Sequence, residues 1–413
     1  MTALDLSFVR QHFPAFEEAE KTGRIYFENA GGSYVCAPVM ERWNSFCREC
    51  KGQPAYPNAA SRQASVMMEE AYSSMARWLN VPADEIYLGP STSQNSYVLA
   101  HATEDWLQAG DEIIVTNQDH EGNSGVWRKL EKRGIVVREW TVDPVTGRLN
   151  PVDLPGLMTE KTRLLTFPHV SNILGEINPV REICDLARSR GVRTITDGVA
   201  FAGHGLPDVQ ELGCDIYLFS LYKVFGPHLG LMVIRRDMAE KLSSQGHYFN
   251  ADVRDKRLMP AGPDHAQVAA VKGMSDYFDA LYDHHFGEGT QVSDRERAAA
   301  VRKLLSETEA ALMEELLGYL SACPALQVVG PDSHEGRAPT ISVVPTNGMT
   351  PVEINAKLGE RGLLCGSGHF YSLRLVEALG HNGTTGVLRF SLAHYTSRED
   401  IRKLIAALDE VLG

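Results

Sequence analysis

No stretch of this 413-residue chain comes near the roughly 20 consecutive apolar residues that a bilayer-crossing helix needs. The first residues, MTALDLSFVRQHF, lack a cationic start followed by an apolar core, so no secretory leader is expected. Positive charge is in short supply as well. Lys and Arg number 40 against 53 Asp and Glu, a formal net charge of −13, which argues against nucleic acid or an anionic membrane as the main partner. The seven cysteines are odd in number and scattered, a usage that suits a reducing compartment, and a cytoplasmic location is expected. Cys47 and Cys50 form one CxxC, but no second pair and no HxxxH follows, so they read as two helix residues. Four common chemical signatures are missing: a GxxxxGK[ST] loop for nucleotide hydrolysis, a GxGxxG opening for a dinucleotide, a GxSxG elbow for a serine nucleophile, and HExxH or comparable spacing for a metal. No metal site is expected.

What is present is ordinary in bulk. Hydrophobic residues make up 43% and charged residues 23%, the balance of a soluble globular protein, and the length allows two or three domains. The most distinctive stretch is DIYLFSLYKVFGPHLGLMVI, residues 215–234. Ile216 to Phe219 and Leu229 to Ile234 are short apolar runs bounded by breakers, hence buried strands, and the loop between them carries one lysine, Lys223. An amine among Leu221, Tyr222, Val224 and Phe225 has its charged form disfavoured by desolvation, which lowers its pKa and makes it a nucleophile toward carbonyls. A snorkelling surface lysine is the competing reading.

The rest of the chain bears on that choice. Strands are expected at Glu85 to Leu88, Glu112 to Thr116, Val136 to Trp140, Arg163 to Thr166 and Val192 to Thr196, with helices between them. The strands are apolar throughout rather than alternating, which implies a mainly parallel sheet covered on both faces. In such sheets ligands bind beyond the carboxyl ends of the strands. The loops there hold Ser91 to Ser93, Asp119 to Asn123, His169 to Asn172, Asp197 and Lys223. The hydroxyls at 91–93 stand where a helix begins, which makes either an anion site or a plain cap. Residues 246–265 are loop-rich, a helix is expected from Pro38 to Lys51, and beyond Pro324 short strands and helices mix as an α+β unit. The expected division is a large α/β domain at 15–285 and a smaller α+β domain from 1–14 and 286–413.

One cofactor suits this set. Pyridoxal phosphate needs an amine for a Schiff base, a carboxylate for its ring nitrogen and an anion site for its phosphate. In the segments NAGGS (29–33), DHEGN (119–123), HVSNILGEINPV (169–180), TDGVAFAGHG (196–205), FSLYKVFGPHLG (219–230) and LRFSLAHYTS (388–397), the chain resembles the class V aminotransferase family, in its cysteine-desulfurase-like branch. The resemblance runs over nearly the whole chain. It implies a fold-type I pyridoxal phosphate enzyme, with a seven-stranded, mainly parallel sheet flanked by helices, a smaller C-terminal domain, and a homodimeric assembly. It also implies roles: Lys223 as the Schiff-base lysine, Asp197 at the ring nitrogen, His120 on the ring face, Asn172 near the ring oxygen, and Thr92, Ser93 and Ser220 at the phosphate, with Tyr222 beside the lysine. Lys223, His120 and Asp197 would be catalytic. Arg389 would bind a substrate carboxylate through its planar fork, with Asn29, His369 and Tyr371 on the substrate side.

Four positions depart from the branch. Ala200 stands where it carries a glutamine or histidine, Tyr222 where a histidine precedes the lysine, and Gly262 where a threonine reaches the partner subunit's phosphate. Tyr371 in GSGHFYSLRL aligns with the nucleophilic cysteine of the desulfurases, while Cys365 lies six positions earlier in an expected strand. The expected reaction is therefore loss of the Cα proton of an amino acid or amino-acid conjugate, followed by desulfurase-like C–S lyase β-elimination without the usual cysteine nucleophile. Transamination, epimerisation, a non-enzymatic binding or regulatory protein and an α/β oxidoreductase stand as alternatives. The substrate itself is not readable.

Overall fold

The computed structural model describes residues 3–50, 52–253, 256–289 and 291–413. Residues 1 and 2 of the expected N-terminal segment, Lys51 at the expected helix end, residues 254 and 255 of the expected loop, and Thr290 lie outside the described residues.

Among the described residues the apolar runs assemble as three sheets. The largest has seven strands: β1 (Ile86–Gly89), β2 (Glu112–Thr116), β3 (Val136–Trp140), β4 (Thr162–Pro168), β5 (Arg193–Asp197), β6 (Ile216–Ser220) and β7 (Gly230–Ile234). Their spatial order is β1-β7-β6-β5-β4-β2-β3. All neighbours pair in parallel except β7, which is antiparallel to both β1 and β6. The mainly parallel seven-stranded sheet expected from the sequence is therefore present. Side chains alternate between its two faces. Ile113 and Val115 join one core with Ile216, Leu218 and Met232, whereas Ile114 joins another with Leu165, Tyr217, Phe219 and Leu231. Both faces are buried, which is why the strands read as unbroken apolar runs.

A second sheet holds β8 (Leu326–Val329), β9 (Thr340–Pro345), β10 (Gly366–Gly368) and β11 (Val387–Ser391), antiparallel throughout in the order β10-β11-β9-β8. Its core takes Ile341, Val343 and Phe390 against Leu316, Leu320, Ile354, Leu358, Leu404 and Leu408 from three helices. The third sheet is a short parallel pair, Ile25–Tyr26 with Leu363–Leu364. Phe27 packs into the core of the second sheet, and Glu28 bridges to Ser391. The segment that leads to Asn29 is thus held by the C-terminal elements.

Helix boundaries have local causes. The first helix, Leu6–Gln11, ends ahead of Pro14, which precedes the first turn of a second, Ala15–Thr22, where a proline gives up no needed N–H. The helix Ala59–Leu79 begins where the Asn58 side chain accepts from Ser61 N at 2.9 Å and caps it. Among the described residues no helix is long and apolar enough to cross a membrane.

Candidate active site

Parallel pairing puts Pro168, Asp197 and Leu218 side by side at the ends of β4, β5 and β6. The chain leaves β6 at Ser220, turns through Leu221–Lys223, and returns as β7 with Gly230 opposite Ser220. A Cβ at Gly230 would lie 2.5 Å from Thr92 N, so only glycine lets the helix Thr92–Ala102 begin against this hairpin. The close approach brings the buried Thr92 Oγ1 within 2.7 Å of the buried Ser220 Oγ. Ser91 caps the helix by accepting from Gln94 N at 3.2 Å. Thr92 and Ser93 therefore occupy the first turn, where free backbone amides and the helix dipole favour an anion.

Lys223 stands beside this helix start. Its amine has no hydrogen-bond partner among the described residues and lies 5.9 Å from the centre of the Tyr222 ring. Burial, and secondly the charge of Arg389, lower its pKa to about 8 against the pull of Asp197 and Glu28. Asp197 moves the other way, raised to about 6 by burial. Its Oδ1 accepts from Val199 N at 2.8 Å. Behind it sits Asp119, buried and pushed well above the usual carboxylate range by burial and by the charge of Asp197. Asp119 accepts from His120 N at 2.9 Å and from Asn123 Nδ2 at 2.6 Å, which fixes the backbone ahead of His120. The His120 ring caps the helix Glu121–Arg128, with Nδ1 accepting from Gly122 N at 2.9 Å. Burial first, then Lys223 and Arg389, lower its pKa to about 4, so the ring is neutral near pH 7.

Thr92, Ser93, His120, Asn172, Asp197, Ser220, Tyr222 and Lys223 line one cavity, together with Asp119, Gly122, Val199 and Ala200. A separate open cleft bounded by Arg24, Tyr26, Arg361 and Lys403 holds none of these groups. Asn29 borders an adjoining space with Lys223, but its amide donates to Ser391 O at 2.8 Å and accepts from Tyr395 Oη. Tyr371 hangs exposed at the mouth with its ring centroid 5.2 Å from that of His120, and His369 Nδ1 accepts from Tyr371 N at 3.1 Å. Arg389 is not on the cavity wall. Its guanidinium is buried, donates to Glu28 Oε1 at 2.6 Å and to Asn172 O at 3.0 Å, and lies 3.6 Å from the centre of the Phe370 ring.

Sequence reading missed several residues here. Glu28 pairs with a residue 361 positions away, and Ser372 Oγ donates to Asn172 Oδ1 across 200 positions, at 2.7 Å. No local pattern marks such partners. Asp119 had a signal, its place before His120 in DHEGN, without an assigned role.

The donor set fits pyridoxal phosphate on three observations. The only lysine on the cavity wall has an unpartnered amine, a buried carboxylate at a strand end has one oxygen free of backbone donors, and a hydroxyl pair lies at a helix start. These are the amine, the partner for a ring nitrogen and the phosphate seat that the cofactor requires.

Comparison with known proteins gives a consistent result. The family model described as aminotransferase class-V matches residues 25–260 and 298–404. The aminotransferase-like protein FGM3 of Gibberella zeae is 34% identical, the match covering 100% of this chain and 99% of that protein. A cysteine desulfurase of Pectobacterium carotovorum is 27% identical over 98% of this chain and 97% of its own length. Among solved structures, a cysteine desulfurase from Thermococcus onnurineus NA1 superposes with a TM-score of 0.85 at 21% identity, covering 100% of this chain and 99% of that one, and so shares the fold.

Proposed function

The chain belongs to the class V aminotransferase family of pyridoxal-phosphate-dependent enzymes, and we propose that it removes the Cα proton of an amino acid or amino-acid conjugate and expels a sulfur-linked group from Cβ. The observation that carries the reading is Lys223, an amine without a hydrogen-bond partner among the described residues, on the wall it shares with Asp197 and the Thr92–Ser220 hydroxyl pair. Thr92, Ser93 and Ser220 would hold the phosphate and Asp197 would meet the ring nitrogen, with His120, Asn172 and Tyr222 on the same wall for the ring. When bound, pyridoxal phosphate supplies the electron sink that makes the Cα proton removable.

The protein's own groups do the rest. Lys223, neutral above about pH 8, accepts the proton from Cα as general base. Asp197 keeps negative charge at the buried end of the site, and the neutral His120 ring keeps water from the cofactor's face. Arg389 receives the substrate's carboxyl end, with Asn29, His369 and Tyr371 forming the substrate side. As the Cβ–S bond breaks, its electron pair leaves with sulfur, and the unsaturated amino acid left behind hydrolyses to a 2-keto acid and ammonia.

Elimination is favoured over sulfur transfer by what stands where a thiol would be needed. Tyr371 carries none. Cys365 is partly buried, its Sγ donates to Asn355 Oδ1 at 3.2 Å, and burial raises its pKa to about 12, far from a thiolate. Tyr248 and Phe249, exposed at 91% and 66% on one loop, offer apolar surface to a second copy and support a homodimer. The seven free cysteines suit a reducing, cytoplasmic setting.

The test is a panel of amino acids with the holoenzyme, following keto acid, ammonia, sulfide and alanine. Pyruvate with ammonia and sulfide from cysteine supports elimination. Alanine with sulfide marks a desulfurase instead, and amino transfer to a keto acid marks a transaminase.

A further inference from the structure

The small space that adjoins the cofactor cavity shares Val199, Ala200 and Lys223 with it, and its own walls include Asn29, Gly203 and His204. It has room for about one water molecule. Lys223 and His204 are the only titratable residues on its wall. The fold delivers the histidine there. His204 ends the short turn Ala202–His204 that follows β5. A Cβ at Gly203 would lie 2.5 Å from Lys223 O, so only glycine lets this loop lie against the backbone of the lysine.

His204 Nδ1 lies 3.1 Å from Oε1 of Glu309, a carboxylate only 2% exposed on the helix Asp294–Ala322. An ionised carboxylate only accepts, so in the neutral ring Nδ1 carries the hydrogen and Nε2 the lone pair. Nε2 has no hydrogen-bond partner among the described residues. A structural tie does not need this arrangement. Arg302 of the same helix already fastens the loop, donating to Leu206 O from Nε at 3.0 Å and from Nη2 at 2.8 Å. The neighbouring titratable ring, His394, is fully buried and is occupied by the Tyr277 hydroxyl. His204 is the open one, its side chain 17% exposed.

A lysine that takes a proton from Cα must give it up before it can react again. With cofactor and substrate in the larger cavity, water is excluded from that side of the amine. Apart from Lys223 and Asn29, none of the groups assigned to cofactor or substrate lines the smaller space. Resting on the reading of Lys223 as the general base, we propose that His204, held by Glu309, carries protons between Lys223 and solvent through one water in this space. The Cα–H bond breaks and its proton goes to Lys223 Nζ. The ammonium gives a proton to the water, and the water gives one to His204 Nε2. The imidazolium faces the Glu309 carboxylate until its proton passes to solvent, which restores the amine, the water and the lone pair. Neither residue touches the substrate: Glu309 positions His204, and His204 acts on Lys223.

The test uses the holoenzyme and L-alanine deuterated at Cα, in ordinary water. Exchange at Lys223 replaces the deuterium by hydrogen, whereas a lysine that cannot exchange returns the deuterium to Cα. His204→Gln is expected to slow the loss of deuterium by at least about tenfold. The apparent dissociation constant of L-alanine, read by visible absorbance, should stay within about twofold of the parent. Glu309→Gln, which keeps the shape and removes the charge, should slow the loss in the same direction. Deuterium loss within about twofold of the parent in both variants overturns the proposal, and so does a loss of L-alanine affinity as large as the loss of exchange, which marks a structural tie. A crystal structure of the parent holoenzyme gives a readout without turnover and without any variant. An ordered water bonded to His204 Nε2 inside the space is expected, and a dry space or an Nε2 bonded to a protein group overturns the relay. A protein that gains no visible absorbance from pyridoxal phosphate, before any ligand is added, overturns the parent reading and this one with it.

Discussion

Removing the hydroxyl of Thr92 should separate two quantities that usually fall together, cofactor affinity and protein stability. Thr92→Val keeps the branched shape, so it opens no cavity at this buried position and leaves the helix start in place. It deletes one of the two hydroxyls that lie 2.7 Å apart. In the absence of cofactor the loss leaves Ser220 Oγ short of its Thr92 partner, a stability cost of about 1–3 kcal/mol. Replacing both hydroxyls, in Thr92→Val with Ser220→Ala, leaves neither partner unmatched and should recover part of that cost. A bound phosphate turns the comparison around. Each hydroxyl then gives a charge-assisted hydrogen bond worth about 1.5–3 kcal/mol, so each single substitution weakens pyridoxal phosphate binding by about tenfold to a hundredfold, and the double substitution weakens it further. Urea unfolding of the cofactor-free protein and titration with pyridoxal phosphate by visible absorbance give the two quantities. Cofactor affinity within about twofold of the parent in the double variant would refute the placement of the phosphate at this helix start.

Three further outcomes follow from the geometry. The rate at which cofactor-free protein captures pyridoxal phosphate should rise with pH through about 8, because the Lys223 amine is protonated below its lowered pKa, and a flat profile would remove Lys223 as the reacting amine. His169 and His394 are buried, with pKa values lowered to about 3, and His120 is lowered to about 4, each mainly by burial. These rings are neutral in the folded protein and titrate near their ordinary value of about 6.5 when unfolded, so their contribution is intact above that pH and is lost as pH falls toward the folded values. Unfolding free energy at pH 5 should therefore drop relative to pH 7.5, and His394→Gln should reduce that drop by on the order of 2 kcal/mol, whereas an equal drop would sink the assignment. Tyr371 sits at φ +60° and is exposed, so Tyr371→Gly should leave stability unchanged or raise it by up to about 1 kcal/mol, and a loss of more than that would show that its side chain holds the loop.

Much of this was legible because the central sheet is made of local signals. Apolar strands bounded by Gly, Pro and Asp placed β2 and the hairpin around Lys223 to the residue or nearly so, and the rule that ligands sit beyond strand ends gathered Thr92, His120, Asp197 and Lys223. Helix boundaries were less legible, since a residue such as Asn58 fits a loop or a cap equally well and only its side-chain partner, Ser61 N, decides. The substrate side was less legible for a different reason. Arg389 was read for what its fork can bind, and nothing local shows that the fold also pairs it with Glu28. Pairings across 200 or 361 positions leave no periodicity in the sequence.

That asymmetry bears on how such a protein changes its reaction. The groups proposed to hold the cofactor come from the seven-stranded sheet and the loops that leave it. The groups proposed for the substrate side lie mostly with the second sheet: Arg389 on β11 and the segment 369–372 after β10, with Glu28 bridged to β11. The two sets touch at few points, and Asn172 is the busiest of them. Its side chain donates to Phe370 O at 3.0 Å and accepts from Ser372 Oγ, while its carbonyl accepts from Arg389. Glu121 N adds a bond to Tyr371 O at 2.7 Å. The segment that in the desulfurases carries a cysteine is here tied down on both sides of a tyrosine, with Phe370 and Tyr371 both at positive φ. A nucleophile that must travel to collect sulfur needs a loop free to move, and this loop is bonded to the cofactor's own wall. On the proposed reading, substitutions confined to the second sheet alter what leaves the substrate without disturbing Lys223 and Asp197.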